Sequence, residues 1–124
     1  MKLLYRNGLL FTSIIIKYHG KSVEIDDVVV DTGASSCIID PSAIENLQMT
    51  FTKEDEIETF YGVSGLFNYF KRTADIIILD DISINNLDFY VGTIDDNING
   101  LIGLDLLINL NAIINLKKME ICFE

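Results

Sequence analysis

Short apolar runs rich in isoleucine and valine, separated by turn residues, dominate this sequence. Residues 9–18 and 22–30 are two such runs, and the connection between them is His19-Gly20-Lys21. β-Branched residues favour strands, and a short polar connection between two strands predicts a hairpin. The chain should therefore fold mainly as β-structure.

Strand-like segments continue to the end of the chain, and two short segments have helical character. Pro41 follows Asp40 as a candidate cap, which predicts one or two helical turns over residues 41–47. The apolar segment 106–110 predicts a second short helix. Further strands are predicted at 37–40, 49–60, 66–79, 82–84, 87–94, 112–116 and 119–123, with polar turns at 80–81, 85–86 and 95–99.

Length and composition limit the class of protein. At 124 residues, 49% of them hydrophobic, the chain fits one domain spanning residues 1–124. Nine basic and nineteen acidic residues give a net charge of −10, the wrong sign for binding nucleic-acid phosphates or anionic lipid. No segment reaches the roughly 18 apolar residues of a membrane span, and Cys37 and Cys122 are too few for a disulfide framework. We expect a soluble, cytoplasmic protein with reduced cysteines and no nucleic-acid or membrane partner.

One acidic residue has an unusual position at the end of an apolar run. Asp31 follows three valines, and no lysine or arginine lies within five residues of it. A strand in the core would hold such a carboxylate rigidly. We expect this carboxylate to be desolvated and unpaired, which is costly unless a second group shares its proton. Gly33 lets the chain turn sharply just beyond it.

Three segments together resemble the retroviral type of aspartic protease. Val-Val-Val-Asp-Thr-Gly-Ala-Ser at 28–35 resembles that family's active-site strand and loop, the segment 61–65 resembles the tip of its flap, and 100–107 resembles its second signature before the C-terminal helix. A lone Asp-Thr-Gly would be an ordinary turn tripeptide, but these segments also follow one another at the family's spacing. The resemblance implies a single-domain, prokaryote-like member with an all-β fold. That fold is a retropepsin-like closed β-barrel, equivalent to half of a pepsin-like enzyme, with one or two short helices and a flap hairpin.

The resemblance also implies the site. Asp31 is the catalytic residue, and because the family needs two carboxylates whereas the chain has one Asp-Thr-Gly, two copies must form a homodimer. The pair activates a water that hydrolyses extended apolar segments of a polypeptide substrate, without a metal or a cofactor. Thr32, Gly33 and Ala34 form the implied scaffold. The implied flap and substrate-binding residues are Tyr61, Gly62, Val63, Ser64, Gly65, Ser35, Ile102 and Leu104.

Some positions depart from the family pattern. Ser35 and Ser36 stand where many retroviral enzymes have acidic residues, and Leu104 replaces an arginine. Because these departures remove contacts between subunits, we expect terminal strands such as residues 1–5 and 121–124 to hold the dimer in a shared sheet.

Other interpretations of the same residues stay open. A catalytically silent dimer could keep the fold as a peptide-binding module, with Asp31 as a structural carboxylate. The chain could also be a piece of a larger polyprotein, although the initial methionine and the predicted closing hairpin favour a free-standing subunit. Residues 95–100 match half of a calcium loop, but Leu106 stands where that loop needs a bidentate glutamate.

Overall fold

A closed β-barrel forms the body of the chain. The computed structural model describes residues 1–49, 55–62, 65–95 and 97–124, with the backbone alone for 58–62 and 65–68. Neither helix in this described part has the length and apolar character needed to cross a membrane. The strands are β1 (Leu4–Arg6), β2 (Leu9–Tyr18), β3 (Lys21–Val30), β4 (Ile38–Ile39), β5 (Ile57–Gly62), β6 (Gly65–Leu79), β7 (Ile82–Val91), β8 (Gly100–Ile102), β9 (Ala112–Asn115) and β10 (Glu120–Phe123). The helices are a 3-10 helix (Pro41–Leu47) and α1 (Leu104–Asn109).

The barrel closes because β2 pairs with both β3 and β6. Around the ring the order is β2-β3-β8-β4-β7-β6, and the pair Ile16–Ile77 belongs to the contact that returns β6 to β2. β1 and β5 extend the sheet beyond this six-stranded ring, and β9 with β10 forms a separate two-stranded sheet. The predicted all-β closed barrel with short helices is confirmed.

Inward-facing and outward-facing side chains alternate along the strands, and the inward-facing ones are apolar and fill the barrel. In β2, Phe11, Ile14 and Ile16 are buried whereas Lys17 is exposed. Among the residues whose side chains are described, no polar or charged residue is fully buried. Burial of apolar surface is therefore the main force that stabilises the barrel interior.

A β-bulge shapes the strand that leads to the candidate site. Asp26 and Asp27 of β3 together oppose Ser13 of β2, and Asp27 takes a left-handed φ of 56°. Aspartate tolerates this conformation better than most residues, and bulges of this kind bend a strand. The three valines after the bulge are all buried. The strand thus stays inside apolar surroundings as far as Asp31.

Local sequence signals located the hairpins and the 3-10 helix correctly. β2 and β3 are joined through His19 and Gly20, whose φ angles of 49° and 80° suit a two-residue hairpin turn. β9 and β10 form the predicted closing hairpin. Asp40 caps the 3-10 helix, because its Oδ1 accepts a hydrogen bond from the Ser42 N–H at 2.9 Å.

Three segments differ from the prediction. The strand expected over 49–60 begins at Ile57, Met49 is buried outside it, and residues 50–54 lie outside the described part. β7 runs unbroken through the expected turn at Asn85-Asn86, with Asn86 at a φ of 54°. Asparagine is common in turns and also tolerates a left-handed φ within a strand. The residue type alone therefore could not distinguish a turn from a continuous strand at this position. Residues 100–102, for which no strand was predicted, form β8 parallel to β3.

Candidate active site

Asp31 lies at the point where β3 leaves the barrel wall. Its N–H donates to the Ile102 carbonyl oxygen at 2.9 Å, which extends the parallel pairing of β3 with β8. Val30, which pairs with Ile102 just before this point, is buried. The backbone that carries the Asp31 carboxylate is therefore fixed by the barrel, as a positioned catalytic group requires.

The loop after Asp31 folds back onto its carboxylate. The Gly33 N–H donates to Asp31 Oδ1 at 2.9 Å, and the Ala34 N–H donates to the Asp31 carbonyl oxygen at 3.2 Å. A Cβ at position 33 would lie 3.1 Å from the same Oδ1. Glycine at this position thus leaves room for the amide to approach and orient the carboxylate.

The beginning of α1 holds this loop in place. The Leu104 N–H donates to the Ala34 carbonyl oxygen at 2.8 Å. A Cβ on Gly103 would lie 2.6 Å from the Ser36 carbonyl oxygen, so a larger residue would push α1 and the loop apart. The two segments that resemble family signatures therefore meet directly in the structure.

Asp105 makes contacts that sequence analysis missed. Its Oδ2 accepts the Cys37 N–H at 3.1 Å, and its Oδ1 accepts the Cys37 S–H at 3.3 Å. Burial, together with the negative charge of Asp105, raises the pKa of the Cys37 thiol. Cys37 is thus kept as a neutral donor, and the pair ties the end of the active-site loop to α1. The sequence offered one signal for this contact, namely the acidic residue Asp105 two positions after Gly103.

The Asp31 carboxylate is less enclosed in one chain than the sequence predicts. Asp31 and Ala34 are half-buried, while Thr32, Gly33 and Ser35 are exposed. Asp31 is only partly shielded from solvent because the chain turns to the surface immediately after the buried strand. Within the described ranges, no lysine or arginine forms a salt bridge with Asp31, and no group of three or more candidate ligands could hold a metal ion.

The hairpin predicted as a flap is formed by β5 and β6. The ladder between them runs from the pair Ile57–Phe70 to the pair Gly62–Gly65, whereas β6 pairs with β7 from Phe70 onward. The far part of the hairpin therefore extends beyond the barrel ring. Of the predicted flap residues, the structure describes the backbone of Tyr61, Gly62 and Gly65, and Val63 and Ser64 lie outside the described residues.

An ion pair that was not predicted closes the base of this hairpin. Arg72 Nη2 lies 2.7 Å from Asp55 Oδ2, and Arg72 Nη1 also contacts Asp55 Oδ1. Both side chains are only 14% exposed, and the guanidinium carbon lies 4.7 Å from the centre of the Phe70 ring. The hydrogen bond to Asp55 raises the pKa of Arg72. Such a bidentate, shielded pair fixes geometry better than an exposed one.

The two predicted pocket residues near α1 differ in their surroundings. Ile102 is 2% exposed and belongs to the barrel core, which corrects the prediction that it contacts substrate. Alternation along β8 turns Ile102 inward and leaves its neighbour Leu101 half-buried. Leu104 is 36% exposed and begins α1 beside the active-site loop. Leu104 thus has surface that a ligand or a partner could contact.

The barrel and the Asp-Thr-Gly loop fastened to α1 together define a class of protein. The sequence profile of the family described as aspartyl protease matches residues 14–106, a range that includes the whole loop and the start of α1. The chain belongs to the aspartyl protease family.

Within that class, the fold is of the retropepsin-like type. The chain is similar to the crystal structure of a retropepsin-like aspartic protease from Rickettsia conorii, with a TM-score of 0.71 and 21% sequence identity. The similarity covers 97% of this chain and 86% of the other. No curated protein matches the chain significantly. The structural comparison supports the fold, and the family match supports protease chemistry.

Proposed function

We propose that the chain is an aspartic endopeptidase that acts as a homodimer, in which Asp31 of each copy forms a shared catalytic pair. The observation that carries this proposal is the Asp31 loop, whose carboxylate is oriented by the Gly33 N–H and whose backbone is fastened to Leu104. The chain contains one such loop, whereas the chemistry of the family uses two carboxylates. A two-fold axis beside Asp31 would supply the second.

In the proposed mechanism the two Asp31 carboxylates share one proton. Adjacent carboxylates cannot both ionise cheaply, so the pair titrates as a unit over a broad pH range, as is general for aspartic proteases. The ionised member takes a proton from a water, whose oxygen attacks the scissile carbonyl carbon. The protonated member donates a hydrogen bond to the carbonyl oxygen, and the tetrahedral intermediate collapses as a proton passes to the leaving amine.

Two neighbours of Asp31 fit supporting roles in this mechanism. Thr32 is exposed, so its hydroxyl is available to hydrogen-bond the loop of the other copy. Ala34 has no hydroxyl, so the carboxylate has one donor fewer than in pepsin-like enzymes, which carry a serine there. Because that donor would stabilise the charged form, we expect a pH optimum less acidic than that of pepsin.

The proposed substrate is an extended polypeptide segment with large apolar residues on both sides of the cleaved bond. Exposed apolar surface at Leu104, beside the Asp31 loop, fits such a substrate. The β5–β6 hairpin would act as a flap, with the segment 61–65 at its tip and with Gly62 and Gly65 giving the backbone freedom to open and close.

The proposed site of action is the cytoplasm. Cys37 and Cys122 are both free, and unpaired cysteines accord with a reducing compartment.

Cleavage of an unfolded, apolar-rich protein tests the proposed function. Wild type, Asp31→Asn and Asp81→Asn are compared at equal concentration from acid to neutral pH, with and without pepstatin. Asp81 lies in the exposed turn between β6 and β7, so its variant controls for the loss of one carboxylate. Wild type and Asp81→Asn should cleave and be blocked by pepstatin, whereas Asp31→Asn should be slower by roughly a thousandfold or more.

A different outcome would establish the alternative function. If the folded wild type cleaves nothing at any pH, and Asp31→Asn binds apolar peptides as tightly as wild type does, the chain is a catalytically silent peptide-binding module.

A further inference from the structure

We propose that Tyr69 is a positioning residue, which sets the angle of the β5–β6 hairpin relative to the Asp31 loop by packing its ring on Gly92. This inference rests on the proposed function, in which the hairpin is the flap. Tyr69 pairs with Glu58 of β5, whereas the ladder between β6 and β7 starts one residue later, at Phe70. Tyr69 therefore belongs to the part of β6 that extends beyond the barrel.

Tyr69 is the buried exception on an exposed face of β6. Side chains alternate along a strand, so those at positions 69, 71 and 73 point to the same side. Lys71 and Thr73 are exposed, whereas Tyr69 is only 8% exposed. Its ring is thus covered at a point where the rest of this face meets solvent.

Gly92, the first residue after β7, makes room for the ring. A Cβ at position 92 would lie 2.8 Å from the Tyr69 Cγ and closer still to its Cδ1 and Cε1. The φ of Gly92 lies outside the left-handed region, so the backbone conformation does not itself require glycine there. An aromatic ring that covers a glycine on a neighbouring strand is a recurrent device in β-sheets. The close approach of the ring therefore explains the glycine.

The electrostatics of Tyr69 agree with this placement. Burial, followed by the negative charge of Asp95, raises the pKa of the Tyr69 hydroxyl. Asp95 lies three residues after Gly92, so the hydroxyl lies within electrostatic range of the same segment. The raised pKa keeps the side chain neutral, and the contact with Gly92 is therefore an apolar one.

Gly92 is in turn fixed to the strand that follows the Asp31 loop. Its N–H donates to the Ile39 carbonyl oxygen at 3.1 Å, and Val91 pairs with Ile39 in the parallel ladder of β7 and β4. β4 begins seven residues after Asp31. The Tyr69 ring thus connects the hairpin, through Gly92 and β4, to the loop that carries the catalytic carboxylate.

A small tilt at this contact moves the tip of the hairpin. Four residues separate Tyr69 from Gly65, a length of about 14 Å in a strand. A ring displaced from Gly92 would therefore shift the tip relative to Asp31, while the bonds that orient the Asp31 carboxylate stay in place. The expected consequence is weaker substrate binding with an unchanged catalytic pair.

Hydrogen exchange in β5 tests the contact without any need for activity. Gly92→Ala places a methyl group where the ring lies, and Tyr69→Val removes the ring. Both variants, checked for folding by circular dichroism, should exchange the β5 amides faster by roughly tenfold, whereas exchange in β3 stays the same. Tyr69→Phe keeps the ring and should stay much closer to wild type. Tyr5→Val, at an exposed tyrosine on β1 at the other end of the sheet order, is the control.

A double variant shows whether the two residues act through each other. Once Tyr69→Val has removed the ring, the methyl group of Gly92→Ala has no ring to displace. The double variant should therefore exchange no faster than Tyr69→Val alone. Effects that simply add would contradict a shared contact.

Peptide cleavage distinguishes positioning from a loss of folded protein. Gly92→Ala and Tyr69→Val should each raise KM roughly tenfold, change kcat by less than about twofold and leave the pH profile of kcat unchanged. Tyr69→Phe should largely restore the wild-type KM. A smaller population of folded enzyme would instead lower the apparent kcat and leave KM unchanged.

The failure of this inference can be distinguished from the failure of the proposed function. Exchange in β5 that ignores both residues, a Tyr5→Val control that changes it equally, or a loss of kcat at constant KM would overturn the positioning role. Cleavage by the wild type in any of these cases would leave the protease proposal intact. A wild type that cleaves nothing, with β5 exchange that depends on both residues, would keep the contact as an anchor of the hairpin and refute the protease.

Discussion

At the scale of single residues, Cys37 joins the end of the active-site loop to α1. Its side chain is 4% exposed, and its thiol donates to Asp105. Burial and the neighbouring negative charge both disfavour the thiolate, so the folded chain holds the thiol proton more tightly than an unfolded chain does. The contact therefore links the stability of the fold to pH.

Replacing Cys37 by alanine should remove this pH-dependent contribution. Below the ordinary thiol pKa of 9.0, folded and unfolded chains both keep the proton, and the contribution is fully present. Above it, the unfolded chain loses the proton while the folded chain, whose pKa is raised, retains it. Wild type should therefore lose about 1.4 kcal/mol of unfolding free energy relative to Cys37→Ala by about pH 10.

Urea unfolding of both proteins between about pH 7 and about pH 10 measures this difference. Cys122→Ala, at the exposed thiol, is the control for loss of a sulfur atom elsewhere. Parallel stability curves for wild type and Cys37→Ala over the whole range would rule out the proposed linkage.

At the scale of elements, the base of the β5–β6 hairpin depends on the ion pair between Asp55 and Arg72. The two residues flank the last backbone pair of the hairpin, Ile57 with Phe70. The guanidinium lies over the Phe70 ring, so a charge and an aromatic contact act at the same point. This arrangement fixes the origin of a hairpin whose far end extends beyond the barrel.

Replacing Arg72 by methionine should loosen the hairpin base. The change removes the guanidinium from a shielded carboxylate, which costs about 1–3 kcal/mol. Amide hydrogen exchange in β5 should become faster than in wild type, while exchange in β3 stays the same. Lys71→Met, at the adjacent exposed cation, is the matched control. Equal exchange in the two variants would show that the ion pair does not hold the hairpin.

The sequence allowed the hairpins and the Asp31 loop to be predicted because their signals are local. His19-Gly20 between two apolar runs marks a turn, and Asp31 follows its own buried strand. The three-residue strand β8 had no such signal, because its pairing with β3 joins residues more than seventy positions apart. The same holds for Cys37 and Asp105, which are separated by 68 positions and meet through the packing of α1.

At the scale of the whole molecule, one chain provides one Asp31 and half of the proposed site. The proposal of a second copy follows from counting Asp-Thr-Gly motifs, because each copy would bring one carboxylate. The interface could not be inferred in this way. Which terminal segments already have a strand partner within one chain depends on the fold, and here Lys2 pairs with Glu120 while β10 pairs with β9.

Mixing wild type with Asp31→Asn at constant total protein tests the shared site most directly. Subunits are allowed to exchange before peptide cleavage is measured, and mixtures with Asp81→Asn serve as the control. If every active site needs Asp31 from both copies, activity should follow the square of the wild-type fraction. An equal mixture should then retain about one quarter of the activity of pure wild type. Activity that falls in simple proportion, to about one half in an equal mixture, would contradict a shared site and show that each subunit cleaves on its own.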